Sequence, residues 1–376
     1  MNYKQIISKE ALGKALALRD LTDPTEGKHC MQLLVEQVTS ELQDAWGIPC
    51  CLHRGHRVVS VADNYDHLRY PQQAVTRAER YSRYVDQEHL LRTHTSALIP
   101  GLLRNLDPDT VEDLLLACPG PVWRRDVIDK THIGEPHQMD LWRISRQEMQ
   151  SDDLEEMIHV VASVLAPGKE IRISKTKHPY TLEGREIEVL HEGNWLEIGE
   201  CGLAHPEVLA GAREDATGRD QYHGLAMGIG LERAVMLRKG IDDIRLLRSE
   251  DPRVASQMLD LEPYHQVSAQ PPARRDISIA MQPDIAEEEI AERIRELLGD
   301  ESEWLEEVRI ISRTAGAKLP EAARQRIGIA LDQENILLRL IIRHPVRSLP
   351  KAEANRIKDK IYVGLHEGST YQLSGQ

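Results

Sequence analysis

The sequence contains no Phe, and all aromatic residues together make up only 4% of its 376 residues. Usual residue frequencies would supply roughly a dozen or more Phe in a chain of this length, so chance is a poor explanation. Two explanations stay open at the level of sequence: selection for synthesis when charged tRNA for Phe is scarce, or deliberate recoding. The absence of Phe is therefore a hint about how or when the protein is made, and it says little about the fold.

Long apolar runs and paired cysteines are also missing. No stretch of eighteen apolar residues occurs, which argues against a transmembrane helix. The first thirty residues carry four acidic side chains, unlike a signal or transit peptide, so a cytoplasmic location is the default prediction. The cysteines are odd in number and form no CxxC pair, which favours neither a disulfide framework nor a structural zinc site. They are Cys30, Cys50, Cys51, Cys118 and Cys201.

Length and charge narrow the class of protein further. A chain of 376 residues can bury one large core and a smaller one, which favours two domains. The net charge of −14 argues against a protein that coats nucleic acid nonspecifically, although a local basic face could still hold one RNA. Neither DNA nor a membrane is an expected partner.

The first predicted domain mixes helical and strand-like patterns. Residues 152–165 repeat apolar side chains at helical spacing and are closed by Pro167 and Gly168. Three strand-like runs follow, at residues 170–174, 186–190 and 195–198. The mixture predicts an α+β fold with an antiparallel sheet flanked by helices. The predicted boundaries are residues 1–20 for an N-terminal segment, 21–262 for this domain and 263–273 for a linker that contains the pair Pro271-Pro272.

The second predicted domain covers residues 274–370. Residues 275–281 alternate as a strand, and Asp284 begins a helix whose Glu287 completes a capping-box pattern. Ile290, Ile294 and Leu297 give that helix one apolar stripe. Further strand-like runs and a last helix follow, at residues 304–311, 326–331, 336–343 and 350–361. The order βαβββα predicts a small ferredoxin-like split βαβ domain.

Basic residues concentrate near the end of this second domain, in sufficient number for contacts with phosphates. The candidates for such contacts are Arg339, Arg343, Arg347 and Lys351. A basic face that is merely solvated is the alternative interpretation.

Two arginines occur in sequence contexts that suit phosphate chemistry. A carboxylate and ATP form an adenylate when the triphosphate is bent toward the attacking oxygen and its charge is neutralised, which calls for arginines and a divalent ion. Arg124 follows Pro121-Val122-Trp123. Arg233 follows the glycine-rich run that begins at Gly228, whose glycines let the backbone approach a ligand, and is expected at the start of a helix. Each pattern alone is weak, because glycine-rich turns before helices mostly serve packing.

The order and spacing of several motifs carry more information than any one of them. They are residues 91–96, 122–126, 195–199, 202–206 and 224–233. Together they closely resemble the catalytic domain of phenylalanyl-tRNA synthetase alpha chains, and 122–126 and 224–233 resemble the second and third class II motifs. The region that opens at Arg274 is similar to the ferredoxin-fold anticodon-binding domain of that family. The two regions on one chain resemble the single-chain organellar form.

The resemblance implies ATP and Mg²⁺ as cofactors and an amino acid and tRNA as partners. It implies catalytic roles for three residues: Arg124 on the α-phosphate, Arg233 on the γ-phosphate and His132 near the triphosphate. Asp126 is expected to orient the adenine or amino acid end, Gly230 to let the backbone approach ATP, and Glu197 to hold the metal. Residues expected to handle the ammonium and carboxylate groups of the amino acid are His94, Ser96, Gln138 and Asp140. The basic residues Arg339, Arg343, Arg347 and Lys351 are then expected to bind tRNA.

Two positions depart from the family pattern. The side-chain pocket, which usually has two Phe in an aromatic-Pro-aromatic segment, has His178-Pro179-Tyr180 instead. Pro136 stands where a Phe of the family normally stacks on adenine, which removes a stacking surface worth about 1 kcal/mol. Ala226 keeps the small residue that floors the pocket. The preferred substrate is therefore Phe or a ring-substituted relative, and the polar tips of His178 and Tyr180 face either the substrate or backbone groups and water.

Three alternatives accompany the preferred function. The chain could be a paralogue with altered amino acid specificity, an enzyme that serves an acceptor other than tRNA, or a non-catalytic RNA-binding regulator. Retention of Arg124, Glu197 and Arg233 argues against the regulator, since such a module has no need of triphosphate ligands. The first class II motif, normally a dimerisation element, is blurred across residues 29–60, so a monomer is favoured and a homodimer is the alternative.

Overall fold

The structure, a computed structural model, describes residues 6–78, 81–107, 110–191, 193–210, 222–267 and 271–371. The chain divides into two units that are interleaved along the sequence. The first unit takes residues 1–124, 135–241 and 257–264, and the second takes 125–134, 242–256 and 265–376. The predicted domains are continuous, whereas these units are not. Residues 268–270 of the predicted linker and 1–5 of the predicted N-terminal segment lie outside the described residues.

Helices and strands alternate irregularly in the first unit. Its helices are α1 Lys9–Ala17, α2 Cys30–Trp46, α3 Ile99–Arg104, α4 Ser151–Leu165, α5 Pro206–Ala210 and α6 Leu231–Lys239. Its strands are β1 Cys50–Leu52, β2 Val58–Ser60, β3 His89–Leu91, β4 Asp113–Pro121, β5 His137–Ser145, β6 Ile171–Lys175, β7 Thr181–His191, β8 Asn194–Ala204 and β9 His223–Gly230. The predicted helix over residues 152–165 and the three predicted strands after it are confirmed.

Seven of these strands form one sheet in the order β1-β4-β5-β9-β8-β7-β6. Every neighbouring pair is antiparallel except β1 with β4. Helices α2, α4 and α6 pack on one another and on the sheet. Helix α2 does so with an apolar stripe at helical spacing, which includes Leu34, Val38 and Leu42, each fully buried. This arrangement confirms the predicted α+β fold with an antiparallel sheet flanked by helices.

The second unit is built on a three-stranded sheet. Its helices are α7 Pro252–Ala255, α8 Glu287–Leu298, α9 Glu321–Ile327 and α10 Lys351–Leu365, and its strands are β10 Ala273–Met281, β11 Leu305–Ala315 and β12 Glu334–Ile342. The order is β10-β12-β11 with both pairs antiparallel. Strands β10 and β11 are therefore parallel to each other with β12 inserted between them, which is the predicted split βαβ arrangement around α8. The earlier segment 125–134 contributes Ile128 to the core of this unit.

Two local predictions in this unit are wrong. Residues 326–331 were expected to be a strand, but α9 runs to Ile327 and ends at Gly328, whose φ of +62° gives a left-handed helix cap. Helix α8 begins at Glu287 rather than at Asp284 and has no side-chain cap bond. The φ of +59° at Asp284 places it outside the extended conformation that an N-cap residue needs.

Membrane insertion by a helix finds no support in the described ranges, where every helix is too short or too polar to cross a bilayer.

Candidate active site

Strand β9 lies between β5 and β8 and presents small residues on one face of the sheet. Along β9, Leu225, Met227 and Ile229 are buried on the opposite face. The intervening residues Ala226, Gly228 and Gly230 leave a shallow channel, which we call the β9 trough. A Cβ added to Gly228 would have no contact shorter than 3.9 Å, so the space above the trough is open.

Two carboxylates lie on the two sides of this trough. Asp140 of β5 and Glu200 of β8 are both directly opposite Gly228 in the strand register. Directly opposed residues point to the same face of a sheet, and Gly228 separates the two acids. Gln138 and Trp142 flank Asp140 on that face, opposite Gly230 and Ala226. The structure therefore brings together four residues predicted from sequence, Gln138, Asp140, Ala226 and Gly230, and one that the sequence analysis missed, Glu200.

Asp140 is a buried carboxylate with hydroxyl donors. It is 2% exposed, and it accepts hydrogen bonds from Thr95 Oγ1 at 2.6 Å and Ser96 Oγ at 2.7 Å. The indole Nε1 of Trp142 is 3.3 Å from Asp140 Oδ1. Burial raises the pKa of Asp140 to about 6, so the ionised form is held in an environment that disfavours it. A cation such as an amino acid ammonium group would relieve that cost.

Glu200 connects the two residues that replace the expected Phe pair. Tyr180 Oη donates to Glu200 Oε1 at 2.6 Å, and His178 Nε2 lies 2.6 Å from Glu200 Oε2. Burial raises the pKa of Glu200, but the hydrogen bonds from His178 and Tyr180 outweigh it and leave the pKa lowered. Burial likewise opposes the charge on His178, yet Glu200 raises its pKa. The polar tips of both pocket residues thus face a carboxylate, a partner that sequence reasoning had not considered.

One signal in the sequence could have revealed Glu200. Glu200 is an acidic residue inside the run 198–203, whose other members are apolar residues, Cys and Gly. A charge at that place in a strand of a central sheet needs a partner or a ligand. The partner itself could not be read from the sequence, because His178 and Tyr180 are about twenty residues away in the chain.

Aromatic rings surround this part of the trough. Tyr180 packs against Trp142 with ring centroids 6.1 Å apart and against Tyr70 at 6.2 Å. Tyr70 also stacks on His94 at 5.4 Å, with an angle of 17° between the rings. Both ring nitrogens of His94 are buried without a hydrogen-bond partner among the described residues. Burial lowers the pKa of His94 to about 4, so the ring is neutral at physiological pH.

The predicted ATP-binding residues of the first unit gather near one end of the trough. Gly230 caps α6 and places Arg233 in its first turn. Arg233 Nη1 donates to the carbonyl oxygen of Glu197 at 3.1 Å and lies 3.6 Å from its carboxylate. The side chain of Glu197 is 47% exposed, and it feels the positive charges of Arg233 and Arg124. Two residues before Arg124 in the chain, Val122 donates its backbone N–H to the carbonyl oxygen of Pro136 at 2.8 Å.

Glu197 suits a metal that is shared with phosphates. Among the described residues, no three His, Cys, Asp or Glu side chains converge on one point where they could hold a metal ion. Mg²⁺ commonly takes one or two carboxylates and completes its shell with phosphate oxygens and water. A single accessible carboxylate beside an arginine fits that pattern and does not fit a metal site made of protein ligands alone.

A buried network fixes the start of β5 to the start of α6. The carboxylate of Glu232 accepts from the backbone N–H of His137 at 2.7 Å, and His137 Nδ1 lies 2.7 Å from it. His137 Nε2 accepts the backbone N–H of Leu21 at 3.0 Å. Both His137 and Glu232 are almost fully buried. The network holds Gln138 and Arg233, the residues next to its two members, in fixed positions.

Comparison with known proteins agrees with this geometry. A family profile described as tRNA synthetases class II core domain (F) matches residues 22–258, which is more than half of the chain. The chain belongs to the class II tRNA synthetases.

Individual relatives of this class II synthetase carry names of one kind. It is 31% identical over 268 residues to the phenylalanine–tRNA ligase alpha subunit of Exiguobacterium sibiricum, covering 67% of this chain and 77% of the relative. It is 28% identical to the chloroplastic/mitochondrial phenylalanine–tRNA ligase of Arabidopsis thaliana, over 81% of this chain and 68% of the relative. A probable mitochondrial phenylalanine–tRNA ligase of Drosophila melanogaster is 27% identical, over 81% of this chain and 74% of the relative.

Two predicted ATP-binding residues of the synthetase belong to the second unit. The carbonyl oxygen of Asp126 accepts from Arg295 Nη1 at 2.7 Å, which ties this loop to α8. His132 Nδ1 lies 2.8 Å from the carboxylate of Asp129. Burial would raise the pKa of Asp129, but His132 and Thr131 lower it to about 2. Their contacts with a nucleotide stay predictions.

The predicted tRNA-binding arginines of the synthetase have acidic neighbours in the same unit. Arg339 forms two bonds of 2.9 Å with Asp276, Arg343 lies 2.7 Å from Glu306, and Arg347 lies 2.8 Å from Glu353. Lys351 is exposed at the first residue of α10. Partly exposed ion pairs of this kind contribute about 0 to 1 kcal/mol and exchange readily for other charges. The predicted role of these side chains in tRNA binding is therefore compatible with the pairing and remains a prediction.

Proposed function

We propose that this class II synthetase activates phenylalanine, or a closely related aromatic amino acid, with ATP and transfers it to tRNA. The names of its relatives support the reaction and the amino acid class. The observation that carries the proposal is the β9 trough, with the buried acid Asp140 on one side and Arg233 with Glu197 near one end.

The geometry suggests how each part of the amino acid is handled. Asp140, held by Thr95 and Ser96, accepts the ammonium group, which makes charge-assisted hydrogen bonds of the stronger kind. Gln138, through its amide N–H groups, and the neutral ring of His94, through its one N–H, donate hydrogen bonds to the carboxylate. Ala226 leaves room for the side chain, and Trp142 and Tyr180 provide aromatic walls for it. The amino acid carboxylate is thereby held near the end of the trough where the nucleotide residues lie.

Adenylate formation then needs stabilisation of charge on the triphosphate. A carboxylate oxygen of the amino acid attacks the α-phosphorus, a bond forms there, and pyrophosphate leaves. Arg124 and Arg233 stabilise the charge that develops on the phosphate oxygens. Mg²⁺, with Glu197 as its protein ligand, would supply further neutralisation of the triphosphate. A terminal hydroxyl of tRNA next attacks the carbonyl carbon and releases AMP.

The location and assembly of the protein are part of the proposal. We favour a cytoplasmic monomer, with a homodimer as the alternative. The names of the Arabidopsis and Drosophila relatives refer to organelles, which is a statement about those proteins.

The decisive experiment is exchange of labelled pyrophosphate into ATP by the full chain, over a panel of aromatic amino acids. Exchange that depends on an aromatic amino acid, followed by charging of tRNA, is the expected result. No exchange with any member of the panel, together with retained RNA binding, would instead favour a non-catalytic regulator. Exchange without charging would favour an acceptor other than tRNA.

A further inference from the structure

The acid Glu200 stands where the proposed substrate side chain would lie. It is opposite Gly228 in the strand register, on the same face as Asp140 and Trp142. Its carboxylate bonds Tyr180, a buried wall of the pocket, so it lies within reach of whatever packs on that wall. The proposed binding region for an apolar ring therefore contains a second carboxylate.

Hydrogen bonds inside the protein leave Glu200 with acceptor capacity. Tyr180 and His178 use one site on each of its two oxygens. An ionised carboxylate can accept about four hydrogen bonds in all. The side chain is also 36% exposed, so the unused positions are open to a solvent molecule or a ligand.

An apolar ring and a ring with a donor would affect this carboxylate differently. A plain phenyl ring placed over Glu200 displaces water and offers no hydrogen bond in return, which weakens binding by about fivefold to hundredfold. A ring hydroxyl or ring amino group replaces the water with a charge-assisted bond. Sites that bond a substrate hydroxyl can reject the analogue without it by roughly ten-thousandfold, which is the upper limit for such a preference.

We infer that Glu200 is a specificity-determining residue that accepts a hydrogen bond from a hydroxyl or amino group on the aromatic ring of the amino acid substrate. The inference rests on the proposed function, because it names the substrate class of the same site. The competing explanation is structural: Glu200 braces the segment before β7 by bonding His178 and Tyr180, and it never contacts the substrate.

The test compares amino acids within one enzyme before it compares variants. Pyrophosphate exchange with the full native chain gives kcat/KM for Phe, Tyr, meta-tyrosine and para-amino-phenylalanine. We expect at least one ring that carries a donor to exceed Phe by about tenfold or more. In Glu200→Gln, which keeps the shape and loses the charge, that ratio should fall by about tenfold.

A matched control isolates the effect of charge at this position. Glu186 of β7 is directly opposite Glu200 on the same sheet face, one strand further from the trough. Glu186→Gln removes the same charge and should leave the ranking of amino acids as in the native chain. Thermal unfolding of both variants shows whether each is folded, and the native ranking alone decides the matter if Glu200→Gln does not fold.

The outcomes separate this inference from the proposed function. Native exchange that is highest with Phe, or a ratio that Glu200→Gln leaves unchanged, would overturn the inference and leave the proposed function intact. Loss of the preference in Glu186→Gln to the same extent would also overturn it, because a charge one strand further from the trough would then have the same effect. Absence of exchange with every amino acid would overturn the proposed function and the inference with it.

Discussion

Replacement of Asp140 by Asn should make the protein more stable and a poorer enzyme. The carboxyl is buried, and its pKa is raised from 3.8 to about 6, chiefly by burial and also by the nearby Glu200. A carboxyl with this shift costs the folded state about 3 kcal/mol at neutral pH, because each unit of pKa corresponds to about 1.4 kcal/mol. Asn is uncharged and of similar shape. Its amide NH2 group must find an acceptor where the carboxylate accepted bonds from two hydroxyl groups, which reduces the benefit. We therefore expect the free energy of unfolding to rise by about 1 to 3 kcal/mol.

The pH dependence of this gain has a defined sign. The folded protein binds a proton at Asp140 more readily than the unfolded chain does, so this group costs nothing in acid, destabilises the fold progressively as pH rises from 3.8 to about 6, and has its full cost above that range. The free energy of unfolding of Asp140→Asn should therefore exceed that of the native chain by at most about 3 kcal/mol at about pH 7.5 and by at most roughly half of that at about pH 5. Denaturant unfolding at the two pH values measures it.

A control and an activity measurement complete this test. Asp113 of β4 pairs with Arg143 of β5, so Asp113→Asn should not stabilise the protein. Asp140→Asn should raise KM for the amino acid by about tenfold or more in pyrophosphate exchange, since the ammonium group loses its counter-charge. In the native enzyme, kcat/KM for the amino acid should decrease as the pH is lowered past about 6, because Asp140 then becomes protonated. A variant less stable than the native chain at both pH values would refute the reasoning.

Three further predictions follow from other parts of the structure. Arg233→Ala should lower pyrophosphate exchange by about a hundredfold. Arg238→Ala serves as the control, because Arg238 is on the same helix as Arg233 and bonds the backbone carbonyl of Val164 in α4; similar losses in both variants would contradict the assignment. His137→Ala should lower the free energy of unfolding by about 2 to 4 kcal/mol, because it removes the imidazole that bonds the buried carboxylate of Glu232, while the backbone N–H of residue 137 keeps its bond to that carboxylate. Denaturant unfolding measures it, and a loss below about 1 kcal/mol would show the imidazole to be unimportant for the network. Arg347→Ala combined with Lys351→Ala should weaken tRNA binding and reduce the slope of log affinity against log salt by about 1 to 2, and an unchanged slope would place the RNA elsewhere.

Local periodicity was sufficient to predict much of the fold. Helix α4 and strand β6 appear within one residue of their predicted positions, because each has a regular apolar pattern between clear breaks. The error at residues 326–331 arose where an alternating pattern overlaps the end of α9 and a glycine turn. The interleaving of the two units was not predictable, since nothing in residues 125–134 marks Ile128 as part of the second core.

Site residues that belong to sequence motifs could be predicted, whereas residues that only strand pairing brings together could not. Asp140 and Ser96 could be named from motif order, and the hydrogen bond between them is present. Glu200 could not be linked to Asp140, because the link depends on both being opposite Gly228 across three strands. The sequence indicates where strands lie far better than how they pair. A shift of one residue in the pairing would move every side chain of a strand to the other face of the sheet.

The absence of Phe alone does not account for Glu200. Without Phe, buried aromatic rings must be Tyr, Trp or His, and each brings a polar atom that needs a partner. The hydroxyl of the buried Tyr65 donates to the backbone carbonyl of Thr76 at 2.8 Å, and that of the buried Tyr84 donates to the carbonyl of Arg77 at 2.8 Å. Tyr180 instead bonds a carboxylate, which adds charge to a pocket where a neutral carbonyl would serve the hydroxyl equally well. His178 also contacts this carboxylate, at 2.6 Å, so the charge serves either that imidazole or a ligand, and the amino acid ranking of Glu200→Gln separates the two.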